Sequence, residues 1–416
     1  MEKNKKFFYG WWIVFGCVLI TSTIVPVVMS LSNKFLIPVT KEMGISRSAF
    51  SMISTILQAL GIFLSPIVAK KIATGNIRKI MGISVIGFSL AYASYSFAQN
   101  VFHLYISAFA VGIFYFSSTI IPVSIIITNW FVKQRGFAMS LAMTGIGVGG
   151  FIFSPIVTYL LETYGWRVSY RIMALIVFVI AFPVVTFLLR KKPEDMGLKA
   201  YGADENISTL KKSPAKSSVD LTVKESSGKP FFFLMLIGMF VCGFINAAAL
   251  GQFPPAIQEL HGPIVQAAII SLYSLIGCFG KIIIGWLNDK FGIMASTIFG
   301  CVTFALIFIF MLMGANITMI YVMAIFFGLG MGIGNVSPPL IVAEMFGGNK
   351  YGEAYGIANS AVQIGLATGS LAVAFMYDKF GSYTNAWILL FVLTVVTLIA
   401  WIASVKISKK YVKSQA

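Results

Sequence analysis

"GFAMSLAMTGIGVGGFIFSPIVTYLLETYG" (136–165) can be laid over "GEAYGIANSAVQIGLATGSLAVAFMYDKFG" (352–381) at a constant displacement of 216 residues. Gly136 falls on Gly352, Ala138 on Ala354, Gly149 on Gly365, Ser154 on Ser370 and Gly165 on Gly381, while Glu162 meets Asp378 as acid on acid. Upstream, the same displacement pairs Pro38 with Pro254, Gly61 with Gly277 and Pro122 with Pro338. An offset that survives over so much of the chain marks a duplicated unit, which weak internal symmetry of this kind reveals in membrane carriers.

What is duplicated is apolar. Of 416 residues, 58% are hydrophobic and 11% charged, against roughly 25% charged in soluble domains. Apolar runs of 20 or more residues recur, each long enough to cross ~30 Å of hydrocarbon at ~1.5 Å per residue. The pattern predicts helices near 11–33, 47–69, 77–97, 103–130, 136–162, 167–189, 230–257, 264–288, 293–314, 317–346, 351–377 and 384–405. The run from Trp11 to Leu31 is too long for a signal-peptide core and lacks a cleavage-like ending, so it reads as a retained first span. Residues 191–229 are polar, without hydrophobic period, and read as a cytoplasmic linker between a six-helix half (1–190) and a second (230–416). Six is even, so both halves run in the same direction across the membrane. The expected class is an all-α membrane protein with twelve transmembrane helices in two parallel-repeat halves, its substrate bound between them near mid-depth.

The net charge of +17 raises nucleic acid as a partner, but the distribution of the basic residues answers that. With both termini in the cytoplasm, every Lys and Arg except Lys34, Lys41, Arg47, Arg167, Arg171, Lys379 and Lys281 lies on the inner side. The positive-inside rule accounts for the charge, and no nucleic-acid partner is expected. The seven tryptophans, at 11, 12, 130, 166, 286, 387 and 401, all fall at predicted span ends, where interfacial anchors belong. Cys17, Cys242, Cys278 and Cys301 lack metal-ligand spacing and read as reduced packing residues. His103 and His261 lie near loop ends without a carboxylate or second histidine at ligand spacing, so no metal is expected. "GIGVGG" (145–150) mimics part of a dinucleotide fingerprint but lies within an apolar helix. Together with "GLGMGIG" (328–334) it reads as helix packing through small residues.

Several motifs resemble the major facilitator superfamily. "GKIIIGWLNDKFG" (280–292) is similar to its signature at the cytoplasmic end of helix 8, and the equivalent loop "VAKKIATGNIRKI" (68–80) keeps Arg78 and Lys79 but has Ala73 and Asn76 where the offset predicts Asp and Gly. "YGWWIVFG" (9–16), "NWFVKQRGFAMSLAMTGIGVGGFIFSP" (129–155), "YGWRVSY" (164–170) and "LRKKPEDMGL" (189–198) resemble the oxalate/formate antiporter and monocarboxylate porter group. That resemblance implies a substrate anion held by a basic residue of helix 8, here Lys281, where the group usually has Arg. Oxalate-exchanging members carry a second cation in helix 11, in a segment like "YGIANSAVQIG" (355–365), which here offers Val362 and Gln363. A substrate with one carboxylate fits better.

Lys281 lies eight residues before Asp289, roughly 12 Å up the helix from its cytoplasmic end. A central ammonium costs roughly 2.5–3.5 kcal/mol on insertion scales, so it should face protein or a water-filled cavity. Snorkelling covers ~6 Å, half the distance, and all fourteen Asp and Glu fall in loops or near span ends, which leaves an anion from outside as the counter-ion. Asn246, Asn335, Asn359 and Gln363 are the polar groups expected to join Lys281, with Tyr115 capping the substrate from the other half; helix-to-helix hydrogen bonding is the competing role for each. Asp289, Lys290, Gly285, Arg135 and Gly136 are expected to latch helix ends during rocking.

The leading reading is a secondary active transporter of a small monocarboxylate such as lactate, pyruvate or formate. Two couplings remain open. Burial disfavours a charged lysine, so Lys281 could release its proton in the empty carrier and regain it with the carboxylate, giving proton symport. If it stays charged, anion exchange dominates. A drug-efflux pump for organic cations would want an intramembrane acid, and none is visible. A membrane sensor or enzyme is the alternative of another class, but no HExxH, GxSxG or P-loop pattern occurs. No cofactor is expected, and the carrier is read as a multi-pass monomer of the cell membrane.

Overall fold

The structure is a computed structural model that describes residues 8–29, 31–45, 47–203, 221–347 and 350–411. Its elements are helical: α1 (Gly10–Val28), α2 (Ser32–Met43), α3 (Arg47–Thr74), α4 (Ile77–Ser94), α5 (Val101–Ser118), α6 (Ile120–Trp130), α7 (Arg135–Pro183), α8 (Val223–Ser226), α9 (Pro230–Phe291), α10 (Ile293–Leu312), α11 (Ile317–Gly330), α12 (Gly332–Asn335), α13 (Ser337–Met345), α14 (Lys350–Phe380) and α15 (Thr384–Ser408). Among the described residues, eleven helical stretches are long and apolar enough to cross a membrane. One of them, the 54 residues of Arg135–Leu188, would be ~80 Å long if straight. It is two spans, turned at Gly165, whose φ of 73° only glycine adopts readily. Among the described residues that makes twelve helices long and apolar enough to span. Gly262 turns the 62-residue α9 in the same way, at φ 83°.

The duplication is visible in where helices break. Thr119 leaves helical geometry between α5 and α6 (φ −118°, ψ −118°), and Asn335, 216 residues on, closes α12 just before the chain restarts as α13. Proline explains both interruptions. Pro122 cannot donate to the Ser118 carbonyl, nor Pro338 and Pro339 to those of Gly334 and Asn335. Gly165 and Gly381, also matched by the offset, both take positive φ.

By packing, the chain divides into two compact units, Met1–Leu57 with Lys71–Ser213 and Gln58–Lys70 with Pro214–Ala416. In the first unit, small residues let α7 approach α1: a Cβ at Gly149 would strike the Ser22 backbone and one at Gly145 the Val18 carbonyl at 2.5 Å. Thr21 Oγ1 uses that closeness to donate to the Ala142 carbonyl at 2.7 Å. In the second unit, Gly365 and Gly369 of α14 press on the backbone of Phe240 and Phe244. Gly145 and Gly149 are a packing surface.

Two expectations need correction. Tryptophans at span ends are not mainly interfacial anchors, because position along a helix does not fix rotation about it. Trp12 and Trp286 project outward, at 51% and 46% exposure, but Trp130, Trp166, Trp387 and Trp401 are buried. Trp130 Nε1 donates to the Arg190 carbonyl at 2.9 Å; Trp166 Nε1 donates to Glu42 Oε2 at 2.6 Å, beside the Arg167–Glu42 ion pair at 3.1 Å. The segment read as linker is also not free from its start. Leu189, Arg190 and Lys191 offer their carbonyls to Arg78 Nε, Trp130 Nε1 and Asn129 Nδ2, and Lys191 Nζ reaches the Ala73 and Gly75 carbonyls at 2.5 and 3.2 Å. Tyr201 then bridges to Phe131, its carbonyl taking the backbone N–H of both Val132 and Lys133. Residues 189–203 are a strap on the first unit.

Candidate functional site

Lys281 lies in the arm of α9 beyond Gly262. Gly280, just before it, allows this arm to touch α11 backbone to backbone: a Cβ there would meet Leu329 O at 2.6 Å and Gly328 O nearer still. Gly332, in the interrupted region, would carry its Cβ 3.2 Å from Lys281 Cα. The lysine is thus seated against the break in helix α11–α13, where prolines have left backbone carbonyls without their usual donors.

Lys281 is 4% exposed, and no hydrogen bond or ion pair to its ammonium occurs among the described residues. Buried charges are ordinarily paired, and this one differs from three cations of the described residues that have partners. Arg167 has Glu42, Lys34 has Thr158 Oγ1 at 2.6 Å and Lys290 lies over Trp286 at 4.9 Å.

The other expected residues divide into three groups. Asn246 and Asn335 gather at the same break. Asn246 donates through Nδ2 to the Cys242 carbonyl at 2.9 Å, and its amide fills the space a side chain at Gly334 would need; Asn335 is half-buried within the break itself. Gln363 of α14 is 5% exposed, with its Oε1 unpartnered among the described residues. Tyr115, in the first unit, is 1% exposed, with its hydroxyl unpartnered among the described residues. Asn359 is otherwise engaged: its Nδ2 donates to Ser65 Oγ at 2.8 Å. Beside it Ser360 Oγ donates to the Ile62 carbonyl at 2.6 Å, and Gly356 lets α14 close on Pro66 and Ala69. Asn359 ties α14 to α3, the competing role expected for amides inside a membrane.

Among the expected gating residues, Asp289 and Lys290 are exposed at the end of α9 and Gly285 is buried. Arg135 Nε donates to the Phe131 carbonyl at 3.0 Å, and Gly136 is buried behind it. This is the loop that Tyr201 of the strap grips. No group of three His, Cys, Asp or Glu that could hold a metal ion occurs among the described residues. His261 Nε2 contacts the Gly314 carbonyl at 2.6 Å.

One feature of helix α9 was overlooked in the sequence. Ser271, Ser274, Cys278 and Lys281 recur at i, i+3, i+7 and i+10, the spacing of one helical face. Along it accessibility falls from exposed at both serines, through half-buried at Cys278, to buried at Lys281.

The profile of the Major Facilitator Superfamily matches residues 10–335 and 235–416. Rat (Rattus norvegicus) monocarboxylate transporter 12 is 23% identical over 405 residues, covering 92% of this chain and 82% of that protein. Rat monocarboxylate transporter 13 is 23% identical over 401 residues, 91% of this chain and 85% of the relative. Among solved structures, the Major Facilitator Superfamily transporter FucP in its outward conformation is similar at a TM-score of 0.70 with 12% identity, covering 94% of this chain and 98% of that one.

Proposed function

The chain belongs to the Major Facilitator Superfamily, and from that premise we propose that it carries a small monocarboxylate anion across the cell membrane, with Lys281 as the residue that binds the carboxylate. The observation that carries this reading is the unpaired, buried ammonium on α9. A carboxylate from solution supplies the missing counter-ion, and a charge-assisted hydrogen bond of this kind contributes roughly 1.5–3 kcal/mol, comparable to the cost of holding the charge at mid-depth. The names of the relatives agree with the substrate class. Asn335 and Gln363 are proposed as further polar contacts of the carboxylate, and Asn246 shapes the break against which Lys281 rests.

Alternating access by rocking of the two halves, with both termini and the 191–229 linker in the cytoplasm, completes the proposal. One cation favours one carboxylate over two. Coupling follows from the state of Lys281 in the empty carrier: a neutral amine lets it reorient alone and gives proton symport, whereas a persistent ammonium gives exchange. Counterflow in liposomes at fixed pH, compared with net uptake after a pH step, separates these, and no acceleration by the step removes symport.

The substrate reading is tested by thermal unfolding of the purified carrier with C1 to C6 mono- and dicarboxylates, alongside Lys281→Gln. An anion at about 100 times its Kd adds about 2.7 kcal/mol to stability. A monocarboxylate is expected to stabilise the natural chain and not the variant. Equal stabilisation of both, or none by any carboxylate, overturns the reading.

A further inference from the structure

We infer that Cys278 is a modifiable thiol on the anion's approach to Lys281, a site for small anionic thiol-reactive compounds. The inference rests on the carboxylate reading of Lys281 for its meaning, but on the geometry of α9 for its substance.

Three observations converge. The first is the polar face of α9. Ser271, Ser274, Cys278 and Lys281 form one arc, while Ile264, Leu275, Phe279 and Trp286 form an adjoining arc of exposed apolar side chains suited to lipid. An ionisable side chain within a spanning helix faces protein or a water-filled cavity, and this arc, which ends at Lys281, lies beside the lipid-suited row. The second is the gradient along that arc, open at the serines and closed at Lys281, with Cys278 at the last accessible step. The third is Lys281 itself, buried and without a partner among the described residues. Cys278 is about 4.5 Å back along the axis and about 60° around it, a neighbour on the helix surface. The other thiols, Cys17, Cys242 and Cys301, are free but buried in packing, which makes them internal controls.

An electrophile carrying negative charge is drawn toward the ammonium and presented to the thiol. With 2-sulfonatoethyl methanethiosulfonate, the Cys278 thiolate attacks the sulfenyl sulfur. A new S–S bond forms, the S–SO2 bond breaks, methanesulfinate leaves and the thiol proton goes to solvent. The tethered sulfonate then serves Lys281 as a captive counter-ion, so added monocarboxylate no longer stabilises the carrier.

The test labels the purified full chain with this anionic reagent, its trimethylammonioethyl counterpart and the neutral methyl methanethiosulfonate, and follows each cysteine by mass spectrometry. Rates are normalised to those on free cysteine. At Cys278 the anionic reagent should gain about tenfold over the neutral one, the scale of one unit charge a helical turn (about 5.4 Å) away at an effective dielectric of about 40, between a protein surface and bulk water; the cationic reagent should lose. Lys281→Arg should keep the preference and Lys281→Gln abolish it. Should Lys281→Gln fail to fold, the anionic-to-cationic ratio in the natural chain decides. A ratio near one, or a folded carrier unlabelled at Cys278, overturns the inference. An anionic preference that no monocarboxylate slows leaves the thiol site standing and removes the monocarboxylate reading instead.

Discussion

Replacing Gly280 by alanine adds one methyl group at the point where α9 and α11 touch through their backbones. Two effects oppose each other. Alanine is favoured over glycine in a helix interior by about 1 kcal/mol, whereas forcing a methyl group into a filled contact costs typically 1–3 kcal/mol. Contact geometry decides the sign. The new Cβ would lie 2.6 Å from Leu329 O, 2.7 Å from Leu329 Cα and nearer still to Gly328 O, and real Cβ atoms essentially never come within 3.0 Å of a heavy atom, so the helices must part by more than 0.4 Å (3.0 less 2.6). The obstructing atoms are main chain, which cannot rotate away as a side chain would. Gly150→Ala supplies the control, because nothing lies within 4 Å of a Cβ there. Thermal unfolding in detergent should show Gly280→Ala less stable than Gly150→Ala by about 2 kcal/mol or more, with carboxylate-induced stabilisation weakened because Lys281 is the next residue. Equal stability of the two variants, with a full response to carboxylate, refutes the argument that this helix contact seats the lysine.

The Asn359–Ser65 hydrogen bond should appear in a double-mutant cycle of Asn359→Ala and Ser65→Ala as a coupling of roughly 0.6 kcal/mol and no more than about 1.7; additive losses would deny the tie. Trp130→Phe leaves the Arg190 carbonyl without its indole donor and should cost about 1–3 kcal/mol, with strap amides exchanging faster by hydrogen–deuterium exchange. Unchanged exchange at 189–203 would contradict the docking. Glu225 accepts from the backbone N–H and hydroxyl of Thr222, which, with the charge of Lys350, hold its carboxyl below the ordinary carboxylate range. A depressed acid contributes its stability above the unfolded pKa and loses it as pH falls through the folded one, so protection of the Thr222–Glu225 turn should decline only in acid below the usual Glu titration.

Much of the architecture was legible because duplication leaves its record in residues that cannot be exchanged freely, such as Gly149 with Gly365 and Pro122 with Pro338. Lys281 was legible for a related reason, since a lone charge in an apolar run is costly enough to need a purpose. The work of the amides was harder to read. Asn359 and Gln363 are one turn apart on α14, yet one is consumed by Ser65 and the other keeps a free oxygen, a difference that depends on how near α3 passes. The strap was hidden because it is held through carbonyls at Leu189, Arg190, Lys191 and Tyr201, and a backbone carbonyl has no letter in the sequence. The face shared by Ser271, Ser274, Cys278 and Lys281 could have been found from its spacing alone.

Anyone dividing this carrier into two co-expressed fragments would be tempted to cut where the composition turns polar, near Arg190. That cut strips from the amino-terminal fragment the chain whose carbonyls occupy Arg78, Asn129 and Trp130, and with it the Tyr201 clamp on the loop before Arg135. A break placed after Ala203 keeps those partners with the body they fasten, and fragments made there should reassemble where the shorter ones aggregate.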